Sequence, residues 1–326
     1  MSSSNPPRLR QWLGRHPLRA SLRIAAVILG VGGTAWLLSG LWPTPDQIDR
    51  AALPRPDDPT TLAPYPAGAV TVLIIGVDAD NLRDLSNQAA PQGPANADAL
   101  VLVRIRADAP LQVLQVPTEL AVQTPDSSSA VPLGSLWQRG GTALVGDSIR
   151  ELVGLPEQEP QRYVVIPRGV IRRLVDGLGE LDVTLTQAYA ADDRSQDFAI
   201  NLQAGRQRLD GAESEQLLRY LESNQDRSQR RDRQQLVLRA LVEQLRTPAG
   251  LRRIKDVLNT VQNDVDSNLT AFELLSLTAA VIGSPEPMQL SQLELEPRIG
   301  TQPLRQLSAT QSRPLWPAAT PAEPAP

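Results

Sequence analysis

No cysteine occurs among the 326 residues. Disulfides, thiol nucleophiles and cysteine-ligated zinc are therefore excluded, and the redox compartment cannot be read from thiols. Histidine is almost as scarce. His16 stands alone in a basic N-terminal stretch, which removes Ser-His-Asp chemistry and histidine metal sites from the folded region. Lys255 is the one lysine, so nearly all the positive charge is guanidinium, the planar fork that grips phosphate at two points. Net charge is −4, and no helix-turn-helix pattern appears, so nucleic acid is not expected as a partner.

What the chain does contain is divided along its length. Residues 1–23 carry Arg8, Arg10, Arg15, Arg19 and Arg23, and Ile24–Trp42 follows without a charge. Such a run is close to the roughly 20 apolar residues that span a hydrocarbon core. The excess of arginines before the run, five against Arg50 and Arg55 after it, predicts a cytoplasmic N-terminus, a single-pass anchor in the plasma membrane and an extracytoplasmic domain. A cleaved signal peptide is the rival reading, but no small-x-small site follows the run. Residues 43–68, rich in proline and aspartate, read as a spacer, and residues 301–326, ending in PLWPAATPAEPAP, as a disordered tail.

Between them, 69–300 reads as one α/β domain, a layered α/β/α unit around a central mixed sheet, preceded by the transmembrane helix. The aliphatic runs 69–77 and 99–106 predict strands covered on both faces. Residues 110–117, 163–166 and 181–186 predict further strands. Helical spacing marks 142–155, 169–179, 210–221, 230–245 and a segment over roughly 248–283.

Asp78 follows the first strand and Asp98 precedes the second. Antiparallel pairing would bring both carboxylates to one sheet edge, where a shared Mg²⁺ suits them, since it takes one or two carboxylates and fills its shell with water and phosphate. Simple capping of strand ends is the plainer alternative. Arg227, Arg230, Arg231 and Arg233 crowd the start of a helix, where cations oppose the dipole. On the face continued by Val237 and Leu241, Arg230, Arg233 and Gln234 would form a phosphate cradle with Arg219, while Arg227 and Arg231 would face solvent. A wholly solvated charged face is the alternative for the group.

Ordered blocks in this stretch resemble the LytR-CpsA-Psr family. VLIIGVDAD is similar to its opening strand ending in Gly-x-Asp, and ANADALVLVRI to its Arg-Ser-Asp-Thr block. LQVLQVPTEL is similar to the strand ending in Pro-Arg-Asp, and RGGTALVGDSIRELVGL to the Gly-Gly helix. YVVIPRGVIRRLVDGLGELDV, LQAGRQRLDGAESEQLLR and RRDRQQLVL follow in the family's order. The resemblance implies a membrane-anchored phosphotransferase that moves a glycopolymer from a polyprenyl-pyrophosphate carrier to a cell-wall glycan acceptor. It places Mg²⁺ on Asp78 and Asp98, catalysis on Asp98 and Arg219, and pyrophosphate contacts on Arg219, Arg230, Arg233, Gln234 and, from the loop, Arg83. Asp98 would take the proton of the acceptor hydroxyl.

This chain departs from the pattern. Thr118 and Glu119 stand where the family has the Arg and Asp of Pro-Arg-Asp, Leu221 where it has the second Arg of Arg-x-Arg. Pro132 stands for a lysine, and Asp80 for the Arg of Asp-x-Arg. Each lost phosphate contact costs about 1.5–3 kcal/mol. Two functions follow: a divergent transferase with rearranged contacts, or a non-catalytic envelope protein that binds pyrophosphate lipid or polyanions.

Overall fold

The computed structural model describes residues 58–84, 86–87, 93–124, 129–193, 198–220, 227–297 and 304–316. All belong to the unit Pro56–Pro326. The expected cytoplasmic segment and the anchor Ile24–Trp42 lie outside the described residues. Among the described residues no helix is long and apolar enough to cross a membrane.

Ten strands carry the fold: Val70–Val77 (β1), Ala97–Ile105 (β2), Gln112–Val116 (β3), Arg162–Pro167 (β4), Leu181–Leu185 (β5), Tyr189–Asp193 (β6), Phe198–Leu202 (β7), Gly205–Leu209 (β8), Asp266–Ser267 (β9) and Gln289–Gln292 (β10). The helices are Leu136–Val153 (α1), Arg168–Leu178 (α2), Gly211–Arg219 (α3), Arg227–Arg246 (α4), Pro248–Val261 (α5) and Ala271–Gly283 (α6). Six strands form the central sheet in the order β9-β4-β1-β2-β3-β10. β1 runs antiparallel to β2 and parallel to β4, so the sheet is mixed, as expected.

Side-chain alternation along the strands divides the core in two. Leu73, Ile75, Leu100, Leu102 and Leu114 pack on one face against Val145, Ile149 and Val153 of α1. Val72, Val103 and Val113 pack on the other against Val242 of α4 and Leu277 and Ala280 of α6. Both faces are covered, which is why β1 and β2 read as near-continuous apolar runs. Complete burial of such a leucine or isoleucine contributes about 1.5–3 kcal/mol. A satellite layer, the ladders β6–β7 and β5–β8, encloses Leu181, Ile200, Leu209, Leu217 and Val237.

Three boundaries differ from expectation. α1 runs from Leu136, but Gly140 and Gly141 kink it with non-helical backbone, Gly141 at φ +59°, a conformation that favours glycine, and the helix beyond the kink starts at the expected 142. The single helical segment over 248–283 is two helices, separated by β9, which pairs with the outer edge of β4. The tail is corrected in part. Residues 304–316 pack on the domain, with Leu315 and Trp316 in the same core cluster as Leu73. The Arg104 guanidinium lies 4.8 Å from the Trp316 ring. Residues 317–326 lie outside the described residues.

Candidate active site

Three strand ends meet at one edge of the sheet. In the parallel pair, Val77 is opposite Pro167, so the next residues, Asp78 and Arg168, leave the sheet side by side. In the antiparallel pair, Gly76 is opposite Ala99 but Val77 is opposite Ala97. Asp98 is therefore the extra residue of a β-bulge, a device that re-aims a side chain beside an active site. Asp98 and Ala99 consequently line one cavity together, while Ala97 and Leu100 point into the opposite core. Gly76 makes room below them: a Cβ there would stand 3.1 Å from that of Ala99.

Helices supply the cations. Arg230 of α4 donates from Nη2 to Asp98 at 2.5 Å and from Nε to the Leu218 carbonyl at 3.1 Å. Arg219, at the end of α3, ion-pairs with Glu215 at 3.4 Å and stacks on the Phe198 ring at 5.1 Å. Arg168, buried at the start of α2, lies 3.5 Å from Asp78, 3.6 Å from Asp80 and 4.0 Å from Glu215. Arg172 holds Asp80 and Glu215, each at 3.0 Å. Gln234 accepts from Gln115 Nε2 at 2.7 Å, which ties α4 to β3.

Burial raises the pKa of Asp78 above the ordinary carboxylate value, and the Asp98 charge raises it further, against the opposing pull of Arg168, Arg230 and Arg219. Burial works against the Arg230 charge as well, but the charge and hydrogen bond of Asp98 outweigh it, and Arg230 is shifted up. Arg219 is shifted down, by burial first and then by the Arg168 guanidinium facing it.

Behind this mouth runs a cavity of about 240 Å³ between the sheet and α2, α3 and α4. Ile74, Val101, Ile171, Leu174, Leu238 and Leu241 line it, while Asp78, Asp98, Arg168, Arg219, Arg230 and Gln234 stand at its charged end. An apolar slot closed by paired carboxylates and guanidinium groups suits an amphiphile with an anionic head. Among the described residues no group of three or more histidines, aspartates or glutamates could hold a metal. Two half-buried carboxylates at one mouth still fit a divalent cation whose other ligands are phosphate and water.

The structure thus brings Asp78, Asp98, Arg219, Arg230 and Gln234 together, and separates other candidates from them. Arg233 does not line the cavity. It is buried on the far side of α4, donating to the carbonyls of Leu217 at 3.2 Å and of Tyr220, with the rings of Tyr189 and Tyr220 at 5.4 and 5.2 Å. The reason is angular: Arg230, Gln234, Val237 and Leu241 follow one stripe, and Arg233 with Ala240 follows the next, toward the satellite layer. Arg83 is exposed and does not line the cavity. Arg231 does not face solvent; it pairs with the buried Glu119 at 2.6 Å. The side chain of Arg227 lies outside the described residues. Arg168 is the residue that sequence reasoning missed. Its signal was the Ile-Pro-Arg-Gly junction of a strand with a helix, which gains meaning only once β4 is paired with β1.

The arginine-rich helix start also has its explanation. Arg230 and Arg233 donate to the carbonyls of Leu218, Leu217 and Tyr220, which close the C-terminal turn of α3, where a helix dipole favours cations. They oppose the dipole of their own helix and complement that of its neighbour.

Comparison with known proteins extends the geometry. TagT of Bacillus subtilis (strain 168), a polyisoprenyl-teichoic acid–peptidoglycan teichoic acid transferase, is 23% identical over 232 residues, 70% of this chain and 69% of that one. The solved structure of B. subtilis TagV superposes with a TM-score of 0.60 at 16% identity, covering 74% of this chain and 91% of that chain. TagT bound to LI-WTA gives 0.55 at 20% identity, covering 74% and 85%. These structures share the fold. The LytR_cpsA_psr family model matches residues 50–311, well over half of the sequence, and the chain belongs to that family.

Proposed function

We propose that this protein transfers a glycopolymer from a polyprenyl-pyrophosphate carrier to a cell-wall acceptor, from the outer face of the membrane to which Ile24–Trp42 anchors it. The observation that carries the reading is the single cavity in which apolar walls end at Asp78, Asp98, Arg219 and Arg230. The prenyl chain occupies the slot and the pyrophosphate meets the guanidinium groups. The relative TagT acts on a polyisoprenyl-linked polymer, and family membership supports the same class of carrier.

Phosphoryl transfer calls for charge neutralisation and alignment more than for a strong protein nucleophile. The acceptor hydroxyl oxygen bonds to the phosphorus that bears the glycopolymer. The bond to the bridging oxygen breaks, and prenyl phosphate leaves with the electron pair. Arg219 and Arg230 stabilise the charge that gathers on the leaving oxygen. The hydroxyl proton passes to a carboxylate. Asp98 is the expected acceptor, and in the structure it pairs with Arg230. Asp78, whose pKa is raised by burial and then by Asp98, is the second carboxylate at the same mouth. Mg²⁺ held by Asp78 and Asp98 would neutralise pyrophosphate oxygens when bound.

The test is a prenyl-pyrophosphate-linked oligosaccharide incubated with the full-length protein, Mg²⁺ and peptidoglycan. The expected result is release of prenyl phosphate with glycan attached to the wall, and loss of both in Asp78→Asn. Thr118, in place of an arginine, favours a second reading as a non-catalytic binder. Saturable binding of the carrier without prenyl phosphate release would establish it.

A further inference from the structure

We propose that Arg168 is an anion-contacting residue, gripping the carrier's pyrophosphate from the β4 edge while Arg219 and Arg230 grip it from the helices. The inference rests on the reading of the cavity as a prenyl-pyrophosphate site, and adds to it a residue that selects a diphosphate over a monophosphate.

Position is the first argument. Arg168 is the register neighbour of Asp78 across the parallel β4–β1 pair, it lines the cavity, and it is 8% exposed. A buried guanidinium at the wall of an amphiphile pocket brings a planar set of donors that matches phosphate oxygens.

Second, the local fold is held by other groups. The loop 78–80 is tied to α2 by backbone: the N–H groups of Arg168 and Gly169 donate to the carbonyls of Ala79 and Asp80 at 2.9 and 3.3 Å. Asp80 and Glu215 are both held by Arg172 at 3.0 Å, closer than the 3.6 and 4.0 Å at which they lie from Arg168. Asp80 and Glu215 thus do not depend on Arg168, whose nearest carboxylate is Asp78 at the cavity mouth, 3.5 Å away.

Third, Arg168 and Arg219 face each other strongly enough for one to depress the proton affinity of the other. Two like charges set around one mouth repel, and an anion between them removes the repulsion. Arg168 stands on the sheet side and Arg230 on the helix side, beyond Asp98. A group with two phosphates meets both sides; one with a single phosphate meets one.

The experiment measures binding of farnesyl pyrophosphate, farnesyl monophosphate and farnesol by the full-length protein in detergent micelles, with thermal melting of each variant. Arg168→Gln should weaken farnesyl pyrophosphate about ten- to hundredfold, the effect of losing charge-assisted phosphate contacts, and leave farnesol within about twofold. Arg168→Lys, which keeps the charge and loses the fork, should retain binding but narrow the preference for diphosphate over monophosphate. Arg172→Gln should leave that preference unchanged. Equal weakening of all three ligands by Arg168→Gln, or a diphosphate preference unaltered in Arg168→Lys, overturns the inference while the cavity reading stands. Failure of the wild-type protein to bind farnesyl pyrophosphate overturns both.

Discussion

At Asp78 the usual preference of a carboxyl group for ionisation is opposed by burial and then by Asp98. Its pKa is higher in the folded chain than the 3.8 of an exposed aspartate, so the folded state binds the proton more tightly. The stability this confers is complete below about pH 3.8 and is lost as pH rises through the raised folded value. At neutral pH the ionised Asp78 is a net liability. Asp78→Asn should therefore raise the melting temperature at pH 7, and the gain should disappear in melts run below pH 3.8. Arg231 presents the opposite case. Arg231→Ala leaves Glu119 buried without this partner and should cost about 3–5 kcal/mol, read by urea denaturation at pH 7. Restored stability in the double variant Arg231→Ala, Glu119→Gln would assign that cost to the stranded charge. Arg233→Met should also lower stability, by about 1.5–3 kcal/mol, while leaving prenyl-pyrophosphate affinity unchanged, because Arg233 holds carbonyls of α3 and not the ligand cavity.

At the level of elements, α6 shows how a helix end is fixed by its own sequence. Thr270 accepts from the Glu273 N–H, and the Glu273 carboxylate accepts from the Thr270 N–H, a reciprocal cap. The backbone hydrogen bond from Thr270 and the bond from Arg162 lower the Glu273 pKa to about 2. Its contribution is present above pH 4.5 and fades as pH falls toward 2. Thr270→Ala should cost about 1 kcal/mol, measured by thermal melts at neutral pH. Such local patterns explain what was legible. β1 and β2 are aliphatic runs long enough to be seen alone, and Asp78 and Asp98 flank them. Arg230 and Gln234 fall on the helical stripe that Val237 and Leu241 announce. Arg168 was hidden because its partners, Asp78 and Glu215, come from β1 and α3, and pairing of β4 with β1 decides its neighbours. Arg233 was misplaced because a helix rotates about 100° per residue; one step of three residues left the cavity stripe for the satellite layer. Arg231 was misread since Glu119 lies on a different element, 112 positions away. β5 was expected, but β6, β7 and its own partner β8 escaped notice, because short, mixed-polarity strands give no clean period.

For the whole molecule, topology gives one prediction. If Ile24–Trp42 is a single-pass anchor with its arginines inside, protease added to intact spheroplasts should digest the chain beyond about residue 45; protection of that region rejects the assignment. The C-terminal segment gives another. Truncation after residue 303 removes Leu315 and Trp316 from the core, and loss of a buried tryptophan alone costs about 3–5 kcal/mol. Truncation after residue 316 keeps both. The shorter protein should melt well below the longer one. The same segment sets an order in time. Arg305 donates its N–H to the Glu119 carbonyl, and Ala121 donates to that of Arg305, so the turn that carries Glu119 near Asp98 and Arg230 is braced by residues made almost two hundred positions later. A nascent chain can pair β1 with β2 early, but the sheet face under Trp316 and the turn at Glu119 stay open until residues 305–316 have been made. A chain cut short before that point leaves bare the apolar face that Leu315 and Trp316 would cover.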